Sequence, residues 1–180
     1  MVLPGEYIVK LKVGDKEYTQ TIKVIHDEKN KELSITDRQQ QYKIATQLYK
    51  MHEDLAVTVD DINEKQKLVK DNLDKVKDSA TKKLMIEFND KLEEQRSQLL
   101  GTKQKSAFAI EEKLREKITD VYSAVASQEA PPSNLQVQRA EILQKELVKK
   151  KQDVQAVNNK YFKAIFDELV KEGLAKPKVF

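Results

Sequence analysis

The chain has no cysteine and no tryptophan, only four glycines and four prolines, and few aromatic residues, 6% of 180. Without cysteine there is no disulfide framework, no zinc–thiolate site and no thiol nucleophile. Eight helix breakers are well below average usage, which excludes a turn-rich β-sandwich and a Pro/Gly-rich disordered chain. A run of about 18 apolar residues is also missing, so no membrane-spanning helix is encoded. Met1-Val2-Leu3-Pro4-Gly5-Glu6 lacks the basic segment and apolar core of a secretory signal. That predicts either a cytoplasmic protein or an excerpt from a longer one. An excess of one charge is absent too. The net charge is +3, with −1 on residues 1–90 (16 basic, 17 acidic) and +4 on residues 91–180 (17 basic, 13 acidic). Nucleic-acid binders concentrate a larger excess on one face, so no nucleic-acid partner is expected. The basic run Lys149-Lys150-Lys151 lies close to Glu146 and Asp153 and reads as a solvated helix face rather than an anion patch.

What the sequence has in quantity is charge arranged with helical period. The breakers are Pro4, Gly5, Gly14, Gly101, Pro131, Pro132, Gly173 and Pro177, and none lies between Gly14 and Gly101. Before that gap, residues 6–26 read as a β-hairpin. Tyr7, Val9, Leu11 and Val13 alternate with Glu6, Ile8, Lys10 and Lys12, the period of a half-buried strand. Gly14-Asp15 supplies the turn, and Tyr18, Ile22 and Val24 continue the same face on the return strand. A lone hairpin is marginal in water. These strands are therefore expected to lean on the helices or on strands of an upstream domain, of which residues 1–26 would be a remnant.

Residues 27–34 form a charged connector, and Ser34 or Thr36 can cap the helix that follows. Tyr42, Ala45, Leu48, Tyr49, His52, Leu55, Ala56, Val59, Ile62, Val69, Leu73 and Val76 predict one apolar stripe on a helix of about 40 residues, roughly 60 Å long. Asp78-Ser79 marks a break and a new cap. A second helix carries Leu84, Phe88, Leu92, Gln95 and Leu99 and ends at Gly101. A third carries Phe108, Ile110, Leu114, Ile118, Val121, Tyr122 and Val125, and Pro131-Pro132 stops it. The fourth runs to about Glu172 with Leu135, Ile142, Leu143, Leu147, Val154, Tyr161, Ile165 and Leu169 inward, and Gly173 terminates it. The expected fold is mainly α: an antiparallel four-helix bundle over residues 35–175 with long first and last helices, an N-terminal hairpin before it and a tail at 176–180. The long helices are expected to pair along their length, their overhanging ends cradling the hairpin. A closed monomer is favoured over a continuous coiled coil, because apolar a/d occupancy is not maintained.

No catalytic, cofactor-binding or metal-ligating residue is assigned, and no cofactor is expected. Neither His26 nor His52 has a glutamate three residues before it, so the di-iron bundle signature is absent. His52 falls on the apolar stripe and reads as partly buried, and His26 as locally bonded near the strand exit. The pairs Asp60-Asp61, Glu93-Glu94 and Glu111-Glu112 diverge by about 100° on a helix and cannot flank one substrate atom. The glycines never cluster into a phosphate loop, and Ser79, Ser106 and Ser133 read as caps or turns. Tyr42, Tyr49, Tyr122 and Tyr161 are expected in the core with hydroxyls at the rim rather than as a stacking platform. An enzyme is not expected.

The segment PGEYIVKLKVGDKEYTQTIKV, residues 4–24, resembles a segment near the C-terminus of large bacterial β-propeller proteins with BNR/sortilin-like repeats, loosely labelled glycosyl hydrolases. In outline the tail is similar as well. Gln40 to Leu55 resembles the first tail helix, Val121-Tyr122 with Pro131-Pro132 the helix end and turn, and Tyr161 through Gly173-Leu174 the last helix and its exit. The resemblance implies a non-catalytic C-terminal structural or interaction module of an exported parent, periplasmic or at the cell surface. Its partners would be upstream domains of that parent or another protein. The alternative is a self-standing helical interaction module that binds another helix or dimerises.

Overall fold

The computed structural model describes residues 2–26, 33–101, 112–128 and 130–176. The order is β1 (Gly5–Val13), β2 (Lys16–Val24), α1 (Ile35–Asn72), α2 (Ser79–Leu99), α3 (Leu114–Ala126) and α4 (Asn134–Lys171). The protein is mainly helical: a four-helix bundle with long first and last helices, preceded by an antiparallel hairpin. Phe108, Ile110 and Ser106 lie outside the described residues, and α3 begins at Leu114 rather than near Phe108.

Local chemistry sets the ends of the helices. Ser34, not Thr36, caps α1: its hydroxyl accepts from the Asp37 amide at 3.1 Å while the Asp37 carboxylate accepts from the Ser34 amide at 3.1 Å. This is a reciprocal capping box that satisfies two orphan donors. Asp78 caps α2 through the Thr81 amide at 2.7 Å, so the break read at Asp78-Ser79 is real. Ser133 forms a second box with Gln136 at the head of α4. Gly173, at φ +71°, ends α4. The Leu174 amide reaches back to the Leu169 carbonyl at 2.8 Å and the Gly173 amide to Val170 at 3.0 Å, a Schellman closure that only a left-handed residue completes cheaply.

The helices have a definite sense. Lys151 meets Asp54 at 3.1 Å and Asn158 meets Asp61 at 3.0 Å, both pairs 97 positions apart, so α1 and α4 run parallel and in register. Glu87 bonds Tyr161 and Gln98 bonds Lys150, which sets α2 antiparallel to α4. Gln41, near the start of α1, bonds the carbonyls of Val125 (2.8 Å) and Gln128 at the end of α3. Thus α2 and α3 follow one another down the same side, both opposed to the two long helices. Any level of the bundle holds α1, α4 and one of the shorter pair.

Buried positions on α1 step alternately by three and four: Gln41, Ile44, Leu48, Met51, Leu55, Thr58, Ile62, then Lys65 at 15% side-chain exposure, Val69, Asn72 and finally Val76 beyond the helix. That is a seven-residue seam, the spacing of knobs-into-holes packing. Ala45, Leu48, Leu55, Val59, Ile62, Val69 and Val76 of the stripe read from sequence are buried, and the stripe is corrected at its margin. Tyr42, Tyr49 and Ala56 are exposed and His52 is half-buried, whereas Gln41, Ile44, Met51 and Thr58 point inward. On α4, Leu135 and Ile142 likewise face solvent, while Leu143, Leu147, Val154, Tyr161, Ile165 and Leu169 are buried. Buried Met85 joins Phe88, Leu92 and Leu99 on α2, and one core cluster draws on all four helices.

The expected cradle for the hairpin does not form. Both long helices have 38 residues, about 57 Å. Being parallel and in register, they finish together and leave no overhang. Among the described residues no helix packs on either face of the hairpin, and every strand position but the last is exposed.

Candidate interaction surface on the hairpin

The hairpin pairs Gly5 with Val24 through to Val13 with Lys16, nine matched positions without a bulge. Gly14 has φ +59° and Asp15 a negative φ, the sequence of signs in a two-residue type II′ turn, whose twist suits paired strands. This register places Tyr7 opposite Ile22 and Leu11 opposite Tyr18, with Val9 and Val13 on the same face opposite Gln20 and Lys16. The other face carries Glu6, Ile8, Lys10, Lys12, Glu17, Thr19, Thr21 and Lys23. It is solvated and holds a Lys10–Glu17 ion pair at 2.9 Å, of little energetic weight at such exposure.

The apolar face is contiguous and open. Tyr7 is 37% exposed, Leu11 58% and Tyr18 55%. Scattered surface apolar residues are ordinary, but a continuous apolar strip on a sheet marks an interaction site. At the base, the Tyr7 hydroxyl donates to the Leu3 carbonyl at 2.7 Å. The His26 Nε2 lies 2.9 Å from the carbonyl of Leu33, a core residue. The strand exit is thereby tied to the foot of the bundle.

The other groups singled out in the sequence take structural positions. His52 stands edge-on to the Tyr122 ring at 6.1 Å. Burial pushes its pKa down, with the Arg115 charge as a secondary cause. Tyr161 is core, its hydroxyl donating to Glu87, and Tyr122 is half-buried. Tyr42 and Tyr49 are the corrections: they sit one position off the buried seam and flank an open groove of about 490 Å³ with Tyr122 and Lys50. A hydrogen bond to Glu53, then that carboxylate's charge, raises the Tyr49 pKa. Among the acidic pairs, Asp61 bonds Lys65 and Asn158 while Asp60 is exposed, and Glu93 meets Arg96 while Glu94 meets Lys91. Glu111 lies outside the described residues. Lys150 turns to Gln98 on α2 and Lys151 to Asp54 on α1, which disperses the basic run. Among the described residues, no group of three or more His, Asp or Glu could hold a metal ion, and no helix is long and apolar enough to cross a membrane.

Three polar residues went unnoticed in the sequence and organise the short helices. Gln41, 1% exposed, holds the C-terminal carbonyls of α3. Glu172, at the end of α4, accepts from the amides of Lys77 (3.0 Å) and Asp78 (3.3 Å) that lead into α2. Glu116 accepts from the Gly101 and Lys113 amides, each at 3.2 Å, and joins the end of α2 to the start of α3. Burial alone pushes the Glu116 pKa up, but hydrogen bonds from Arg115 and the surrounding amides outweigh it and hold the carboxyl below its usual range. No lone letter distinguishes such residues from surface glutamines and glutamates. No family model, curated protein or solved structure matches the chain.

Proposed function

We propose that the chain is a non-catalytic C-terminal structural and interaction module of a larger exported β-propeller protein, located in the periplasm or at the cell surface. The bundle is its rigid body and the hairpin its attachment element. The observation that carries this reading is the exposed apolar face of the hairpin, on which no helix packs among the described residues, beside a bundle with its own buried core. Support for the parent comes from the resemblance of residues 4–24 to the propeller proteins' C-terminal segment.

Immunoblotting of source cells with an antibody to this chain tests the reading. The expected band is several times larger than 20.8 kDa. A band at 20.8 kDa overturns it and favours the self-standing helical interaction module. Turnover of glycosides or peptides by the purified chain overturns the non-catalytic assignment.

A further inference from the structure

We infer that α3 is an acid-sensitive segment of the bundle: protonation at the α1–α3 contact undocks it while α2 stays seated on α4. Of the four helices α3 is the shortest, 13 residues against 21 in α2 and 38 in each long helix. Its buried residues are Leu114, Ile118 and Val125. With so few apolar anchors, its hold on α1 depends on the polar groups at the contact. These are Gln41 at its end, Glu116 at its start and His52 between them.

His52 is the group that acid turns against the contact. It stands on α1, half-buried and edge-on to Tyr122 of α3 at 6.1 Å. Among the described residues no hydrogen bond reaches its ring. A neutral imidazole packs there as an aromatic ring. A protonated one brings a cation and a second N–H without an acceptor into a contact that already holds the Arg115 charge. The charges arranged around it favour the neutral ring. On α3, Glu116 is engaged by Arg115 and by the Gly101 and Lys113 amides. On α4, the 97-residue offset sets exposed Lys149 at the level of His52, and Glu146 pairs with Lys117 at 3.6 Å. At the end of α2, Arg96 pairs with Glu93 at 3.1 Å. On α1 itself, Glu53 accepts from Tyr49, and Lys50 lines one groove with Tyr122.

Burial, and after it the Arg115 charge, holds the His52 pKa below its ordinary value while α3 is docked. Undocking favours proton uptake, so docking weakens as pH falls through the region just below the ordinary histidine value. Glu116 adds a later stage in the same direction. Its carboxyl is held low in the docked state, and on further acidification it takes a proton and releases Arg115 and the two amides. By contrast, α2 contains no histidine, buries five residues including Met85 and Phe88, and is tied to α4 through Glu87 and Tyr161.

Amide hydrogen exchange of the purified chain between about pH 7 and pH 5, read by mass spectrometry as protection factors corrected for intrinsic rates, tests this. Protection across Leu114–Ala126 is expected to fall about tenfold or more beyond any fall across Ser79–Leu99. His52→Gln and His52→Leu do not titrate, and each should keep α3 protection constant over that range. Having both variants leaves one readout if the other fails to fold. An equal fall in α2 and α3 overturns the inference and makes the acid response a property of the whole bundle. Unchanged α3 protection in the native chain overturns it as well, and so does a fall that persists in either folded variant.

Discussion

The hairpin and the bundle solve the same problem with opposite results. Each consists of amphipathic elements whose apolar residues recur with the period of their backbone. In the bundle, four such elements close on one another, and residues such as Phe88, Leu48, Ile118 and Leu147 are wholly buried. In the hairpin, two strands pair correctly by main-chain hydrogen bonds, yet the face they build has nothing within the described residues to close on. Correct secondary structure is thus separable from burial. A two-stranded sheet has one usable face and no second layer, whereas each helix of the bundle meets neighbours along its buried stripe.

The contrast can be broken by mutation. Phe88→Ala has the largest expected effect, because this side chain is fully buried and stacks on Tyr161 at 5.8 Å. A loss of about 3–5 kcal/mol is expected from the urea midpoint of the isolated chain, whereas Leu11→Ala should change it by less than about 0.5 kcal/mol. If the two variants cost the same, the hairpin is part of the cooperative unit and the contrast fails. Next is Gln41→Leu, which strands the Val125 and Gln128 carbonyls at the end of α3. An unsatisfied buried acceptor implies about 1–3 kcal/mol, with hydrogen exchange rising first in α3. Smaller is Gly173→Ala, which forces a left-handed φ of +71° on a residue with a Cβ. The expected cost is about 1 kcal/mol, read as a lower melting temperature.

Acid should sharpen the comparison by acting on the bundle. The folded pKa of His52 lies below its usual value because burial disfavours the imidazolium. The unfolded chain therefore binds the proton first, and stability falls as pH drops through the region just below the ordinary histidine value. Glu116 and Asp78 are also held low in the folded state, Asp78 chiefly by the Thr81 hydroxyl bond. Their contribution is present above the ordinary carboxylate range and is lost as pH falls through their folded pKa values. Urea midpoints measured from pH 7 to 3 should decline in two stages, and His52→Gln should flatten the first. An unchanged first stage in that variant assigns it elsewhere.

Much of this architecture was legible in the letters, and the misses have physical causes. Breakers and caps carried the map: Asp78, Pro131-Pro132 and Gly173 act locally, through a single hydrogen bond or a single dihedral, so they can be read where they stand. The margin of the α1 stripe was not legible to one residue, because an apolar arc about 100° wide accommodates Tyr42 and Tyr49 at one edge and Ile44 and Met51 at the other, with Ala45 and Leu48 buried between them. Polarity argued against Gln41, Thr58 and Asn72 as seam residues, yet each is satisfied in place, Thr58 by the Asp54 carbonyl at 2.7 Å and Asn72 by Leu68 at 2.9 Å. The succession of α2 and α3 in one direction was hidden as well. Amphipathic period says which side of a helix is buried but not which way its neighbour runs. For the candidate surface, alternation named every apolar residue of the hairpin face, and only its exposure among the described residues needed the structure.

The parallel register of α1 and α4 has a mechanical consequence. A chain that crosses the bundle an odd number of times must leave at the end opposite the one it entered. It enters beside Leu33 and departs beside Glu172, on opposite sides of a body about 57 Å long. Tension applied through these two points runs along the helix axes and loads the α1–α4 contact in shear, over all its turns at once, instead of peeling one helix away end first. In this geometry the points where the chain enters and leaves the bundle are about 57 Å apart.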